Sequence, residues 1–294
     1  MYYRRKIILA LLQLFEGQLD KIRLQKLLFL FTRRQSQPVY DFVPHQFGCF
    51  SYSANADMTA MVTRGYLTEQ ETSFTKADPS DMLRNIRLID LELLMAVKQD
   101  YGHLSTADLI RYTYLQHPFY AINSEVASDI LNTEQVEFVE RARPRNKKTI
   151  LFTIGYEGIS LETYIVRLLQ HDVRVLVDVR HNPLSMKYGF SKSQLSKYCS
   201  SAGIGYAHIP EVGIRGDQRK SLRSQLDYDE LFDVYRSDHL PATREYQKKI
   251  MDLLRQHKRI ALTCFEANIC QCHRKPLAEA IQNHSEFSYE VKHI

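Results

Sequence analysis

The stretch Thr149–Val179, TILFTIGYEGISLETYIVRLLQHDVRVLVDV, decides the fold of the C-terminal half. TILFTIG is a short, continuously apolar run, and VRVLVDV (Val173–Val179) is a second. Between them, Leu161 to Gln170 carries apolar residues at helical spacing. Two apolar strands around an amphipathic helix predict a parallel βαβ unit, and strands without polar alternation predict a sheet covered on both faces.

The same alternation continues. A helix is predicted from Ser191 to about Ser201, a strand at GYAHIP, an irregular loop, and a helix from Thr243 to His257. A strand at RIALTC, a helix from Pro276 to Asn283 and a last strand in FSYEVKHI complete the pattern. The expected fold is α/β: a Rossmann-like parallel sheet of about five strands over residues 149–294, with helices on both faces. Residues 1–133 read as a mostly helical, winged-helix-like domain. Helices are predicted from Tyr3 to Phe15, from Asp20 through Arg33, and from Asn55 to Arg64, ended by Gly65. A wing follows Tyr66, and Met82 to Tyr120 is mostly helical; Tyr40 to Tyr52 is extended or irregular. The basic stretch RARPRNKK lies in an expected linker, Glu134 to Lys148.

The chain has 294 residues and an ordinary apolar fraction, which suits two folded domains. No window approaches the roughly 18 apolar residues of a membrane span, so no membrane association is expected. The N-terminal apolar run is interrupted by Gln13 and has no small-residue cleavage site, so it reads as a core helix of a cytoplasmic protein. Five cysteines, three of them clustered as Cys264, Cys270 and Cys272, do not make a secreted disulfide framework. The excess of Lys and Arg lies in the C-terminal half, a balance that suits phosphate or nucleic acid.

In an open parallel sheet, ligands bind beyond the carboxyl ends of the strands. Here those ends are polar: Tyr156 and Glu157 after the first strand, Asp178 and Arg180 at the second, His208 at the third, Glu266 after the fourth. Asp178, Glu266, Cys272 and His273 are the candidate catalytic groups. Tyr156, Glu157, Arg180, His208, Arg215 and Arg274 are candidate ligand contacts, the arginines because a planar fork suits phosphate or carboxylate. His273 and Arg274 fall near a helix start, where backbone donors favour an anion. A structural ion pair is the alternative for Asp178 and Arg180. A lowered thiol pKa is expected for Cys272 beside His273 and Arg274. Cys264, Cys270, Cys272 and His273 offer four zinc-type ligands. Adjacent Cys272 and His273 are awkward around one ion, however, and paired CxxC knuckles are missing, so neither a metal nor another cofactor is expected.

The segments TIGYEG, LVDVRHNPLS, GFSKSQL, YAHIPEVG and LTCFEANICQCHR, in order, resemble the family called domain of unknown function 488, over about residues 150–285. The resemblance maps Tyr156, Glu157, Asp178, Arg180, Pro183, Ser185, Phe190, Lys192, His208, Cys264, Glu266, Cys272, His273 and Arg274 onto motif positions. It implies a fold and a site, and leaves the substrate open. IRLQKLLFLFTRRQSQPVYDFVPHQFGCFSYSANADMTAMVTRGYL, with YGHLSTADLIRYTYLQHPFY later, is similar to the Panacea domain, with Gly48-Cys49 in place of its glycine-proline pair. That similarity implies a regulatory module with a protein partner. Three functions therefore stay open. The first is binding or processing of a nucleotide or nucleic acid; the second is thiol or sulfur handling; the third is non-catalytic regulation.

Overall fold

The computed structural model describes residues 1–219 and 222–294. The chain divides into two compact units, Met1–Arg143 and Pro144–Ile294.

The first unit opens with α1 (Tyr3–Leu14), whose run Ile7–Leu12 is closed to solvent. β1 (Gln18–Asp20) leads directly into α2 (Lys21–Thr32). β2 (Val43–His45) and β3 (Gly48–Phe50) form a hairpin within the stretch expected to be extended or irregular. Gly48 closes that turn at φ +83°, where a Cβ would lie 2.3 Å from Tyr114 Cε1. α3 (Tyr52–Thr63) starts earlier than its sequence pattern suggests, because Ser51 accepts the Ala54 N–H and caps it. β4 (Leu67–Glu69) and β5 (Ser73–Lys76) are the expected wing, and β1 joins them in an antiparallel sheet ordered β1-β5-β4. α4 (Leu88–Tyr101), α5 (Thr106–Gln116), the short α6 (Ala127–Ile130) and α7 (Thr133–Arg141) complete the helix-rich unit. α7 occupies much of the expected linker. Asn132 and Gln135 make a reciprocal capping box there, and Val139 is buried.

The second unit is α/β. β6 (Ile150–Gly155), α8 (Leu161–Gln170), β7 (Val175–Asp178), α9 (Lys192–Ser201) and β8 (Gly205–His208) follow the expected order. α10 (Gln225–Val234) stands where the sequence suggested only an irregular loop. Ser224 and Asp227 cap it reciprocally, and Phe232 packs into the core. A π-helical turn, Tyr235–His239, leads into the single-turn α11 (Leu240–Ala242) and then α12 (Arg244–His257). β9 (Arg259–Cys264), α13 (Arg274–Gln282) and β10 (Glu290–His293) close the chain.

The five strands are all parallel, in the order β10-β6-β9-β7-β8. Side chains alternate across the sheet. Leu151, Val175, Val177, Ile260 and Leu262 meet Ile250, Leu254, Leu277 and Ile281 of α12 and α13 on one face. On the other, Tyr164 of α8 donates from its hydroxyl to Thr263 Oγ1 at 2.6 Å. β9 lies between β6 and β7, so their carboxyl ends stand side by side.

Candidate functional site

The edge is built on a close approach. Tyr156 N and Glu157 N both donate to Phe265 O, at 3.1 and 2.9 Å. A Cβ on Gly155 would stand 2.0 Å from Glu266 O, so only glycine lets the two strand ends come this near. The Tyr156 ring then stacks on Phe190 with centroids 4.2 Å apart, and meets Phe265 edge-on at 5.4 Å.

Asp178, at the end of β7, is closed to solvent, and Arg180 is 6% exposed. Arg180 Nε donates to Asp178 Oδ1 at 2.8 Å and Nη2 to Oδ2 at 2.5 Å. Its Nη1 donates to Tyr156 Oη at 2.7 Å and to Phe190 O at 2.9 Å. Tyr206 adds a hydrogen bond to Asp178 Oδ2 at 2.6 Å. Burial alone would lower the Arg180 pKa; the hydrogen bonds and charge of Asp178 outweigh it and raise it. Tyr206 is pushed up, first by burial and then by the Asp178 carboxylate. This is the geometry of the structural ion pair. The fork suited to phosphate is already filled by a carboxylate.

His208 belongs to the same framework. Its Nε2–H donates to Arg180 O at 3.0 Å, and Lys192 Nζ lies 3.0 Å from its Nδ1. Glu157, exposed, accepts the Ala267 N–H at 3.0 Å and ties the loops after β6 and β9 together. Arg215 is an exposed side chain between Ile214 and Gly216.

A second cluster lies after β9. Cys264, Cys272 and His273 are buried, with their ligand-type atoms all within 4.8 Å of one another. Cys264 Sγ is 3.2 Å from Glu266 Oε2 and 3.6 Å from His273 Nδ1. His273 Nε2–H donates to Val179 O at 3.1 Å, which leaves Nδ1 facing the sulfur. Arg274 is turned inward and is 1% exposed. Its Nε donates to Cys272 Sγ at 3.0 Å and its Nη2 to Glu266 O at 2.5 Å.

Two expectations change here. Cys272 has no lowered pKa: burial, with Cys264 beside it, drives the thiol well up, and His273 and Arg274 offset this only in part. Adjacency of Cys272 and His273 does not keep them apart either, because the backbone turns from extended at Cys272 to helical at His273. Cys270 is exposed and outside the cluster.

A pocket of about 320 Å³ opens at this edge. Arg180, Cys264 and His273 reach its lining from the framework and the cluster. His181, Asn182 and Ser185 add polar groups, and Leu184, Met186 and Phe265 an apolar rim. Asp178 stands behind Arg180, outside the lining. Cys264 ends the strand predicted at RIALTC and falls on a motif position of the resemblance; as the last residue of β9 it reaches the edge. A larger open groove, about 840 Å³, lies along α12 and α13, away from the carboxyl edge. There Arg236 pairs with Glu279 at 3.4 Å, so part of its charge is satisfied internally.

The C-terminal unit is thus a parallel α/β domain with a pocket of mixed polar and apolar lining at the carboxyl ends of its central strands. The family model described as "Domain of unknown function DUF488" matches residues 160–281, from α8 nearly to the end of α13. The match takes in both the Asp178–Arg180 framework and the Cys264–His273 cluster. No curated protein and no solved structure matches the chain.

Proposed function

We propose that the C-terminal unit binds a nucleotide, free or within a nucleic acid, in the edge pocket and processes it with Cys264 and His273, which line it, and with Glu266, whose Oε2 lies 3.2 Å from Cys264 Sγ. The carrying observation is that Cys264 and His273 line a pocket together with aromatic Phe265 and polar His181, Asn182 and Ser185. Its volume is at the small end of the range typical of ligand sites. Phe265 is 43% exposed and offers a face for a base. His181, Asn182 and Ser185 suit the sugar and phosphate, and the basic C-terminal half draws polyanions toward the domain. Asp178, Arg180, Tyr206 and His208 hold the wall in place.

Thiol chemistry is the second reading, favoured by the 3.6 Å approach of Cys264 Sγ to His273 Nδ1. The N-terminal unit is, in this reading, a Panacea-like module that binds a protein partner. Five free thiols suit a reducing compartment such as the cytoplasm.

The test is a titration of mononucleotides and short DNA and RNA at graded salt, with wild type and Phe265→Ala in parallel. Loss of one stacked base should weaken binding by about 1–3 kcal/mol. Equal affinities, or no binding by the folded wild type, would overturn the nucleotide reading. Alkylation that abolishes turnover of a sulfur donor, with nucleotide binding absent, would favour the second reading.

A further inference from the structure

We infer that Cys264, Cys272 and His273 form a divalent-metal site of the zinc type, with its fourth coordination position facing the edge pocket. Three soft or borderline ligands converge from β9 and the turn before α13, all buried and within 4.8 Å of one another. Zinc bonds of about 2.3 Å to sulfur and about 2.0–2.1 Å to nitrogen set a tetrahedral S–N edge at about 3.6 Å. The distance from Cys264 Sγ to His273 Nδ1 is 3.6 Å.

The imidazole is presented as metal ligands are. A carbonyl oxygen only accepts, so the contact of His273 Nε2 with Val179 O at 3.1 Å fixes the proton on Nε2. Nδ1 then carries its lone pair toward the sulfurs, and the outer hydrogen bond locks the ring. Cys272 has its own outer partner, Arg274, whose buried guanidinium donates to the sulfur at 3.0 Å. A buried cation calls for an anion, and a metal-bound thiolate supplies one. Thiolate and imidazole ligands favour zinc over magnesium or calcium.

Cys270 does not complete the set; it is exposed, with its Sγ 3.8 Å from Lys275 Nζ. Three protein ligands with one position left is the pattern of catalytic zinc sites rather than closed structural ones. Cys264 and His273 both line the pocket, so the remaining position opens there. Glu266, with Oε2 3.2 Å from Cys264 Sγ, is the carboxylate at its border. The inference shares the pocket with the proposed function but not its ligand, because metal is measured with no nucleotide present.

The experiment uses the full chain, reduced and stripped of metal, titrated with Co²⁺ and then Zn²⁺. One equivalent of Co²⁺ should produce thiolate-to-metal charge-transfer absorption and intense visible bands of tetrahedral cobalt, lost on addition of Zn²⁺. Cys264→Ser, Cys272→Ser and His273→Asn should each weaken Zn²⁺ binding at least about tenfold, the lower end for loss of even an outer partner. Cys270→Ser should bind as wild type does. Circular dichroism checks each variant; should Cys272→Ser unfold, the wild-type spectrum and Cys264→Ser still decide. The inference fails if folded, reduced wild type shows no charge-transfer band. It also fails if Cys264→Ser binds as tightly as wild type, or if Cys270→Ser loses the metal equally.

Discussion

Arg180 grips Asp178 with two parallel hydrogen bonds, Nε to Oδ1 at 2.8 Å and Nη2 to Oδ2 at 2.5 Å, beside an edge pocket that only the arginine lines. Breaking one partner of a buried pair costs about 3–5 kcal/mol, because the other charge stays enclosed. Arg180→Ala should therefore lower stability by about that amount in urea unfolding. Arg180→Lys should lie between the two, since a point charge cannot replace the fork that also reaches Tyr156 and Phe190. A loss within about 0.5 kcal/mol, the range of ordinary surface substitutions, would contradict the framework role.

Gly155→Ala tests the close approach at the edge. The added carbon would stand 2.0 Å from Glu266 O and 2.9 Å from Arg274 Nη2, and the first of these is backbone. Overpacking of this kind costs about 1–3 kcal/mol. The variant should melt at a lower temperature than Gly158→Ala, where nothing lies within 4 Å but φ is positive. The reverse order would mean the strand ends are not held together.

Asp90 in the N-terminal unit sets a pH dependence. Burial raises its pKa, but hydrogen bonds from Tyr3, Gln35 and Arg87 prevail and leave it below the ordinary carboxylate value. A folded pKa below the unfolded one stabilises the protein above the unfolded pKa, about 3.9, and that contribution is lost as pH falls through the folded pKa. The stability difference between wild type and Asp90→Asn should be constant from about pH 7 to 5 and shrink below about pH 4. A difference independent of pH would remove Asp90 from the balance.

Limited tryptic digestion should cut first at Arg145, Lys147 or Lys148, which are exposed between α7 and β6. Two separately folding units would then persist. Early cleavage after Arg174, at the foot of the buried β7, would argue against that division.

Most of the second unit was legible in the sequence because continuous apolar strands and an amphipathic α8 leave few alternatives. α10 was not: Tyr228, Leu231 and Phe232 have helical spacing, but Asp227, Asp229, Glu230 and Asp233 make the segment look like a polar loop. At the site, strand ends indicated the edge, but not which side chains face its pocket: Arg180 and His273 line it, while Asp178 and Glu266 do not. Spacing cannot say that Arg274, at the start of α13, turns inward onto Cys272 instead of outward to an anion. Nor can it say that Asp178 fills the fork of Arg180. Both outcomes depend on partners from other elements: Glu266 O after β9 holds Arg274, and Tyr156 after β6 and Tyr206 of β8 hold the Arg180–Asp178 pair.

Ligand chemistry at the carboxyl edge, over Cys264 and His273, is what we propose for this domain. A crystal structure with the tightest-binding nucleotide tests it most directly. Density is expected for the base against Phe265 and for the phosphate or sugar near His181 and Ser185, within contact of Cys264 and His273. A nucleotide seated instead in the groove of Arg236, Arg244 and Lys248, with the edge pocket unchanged, would contradict it.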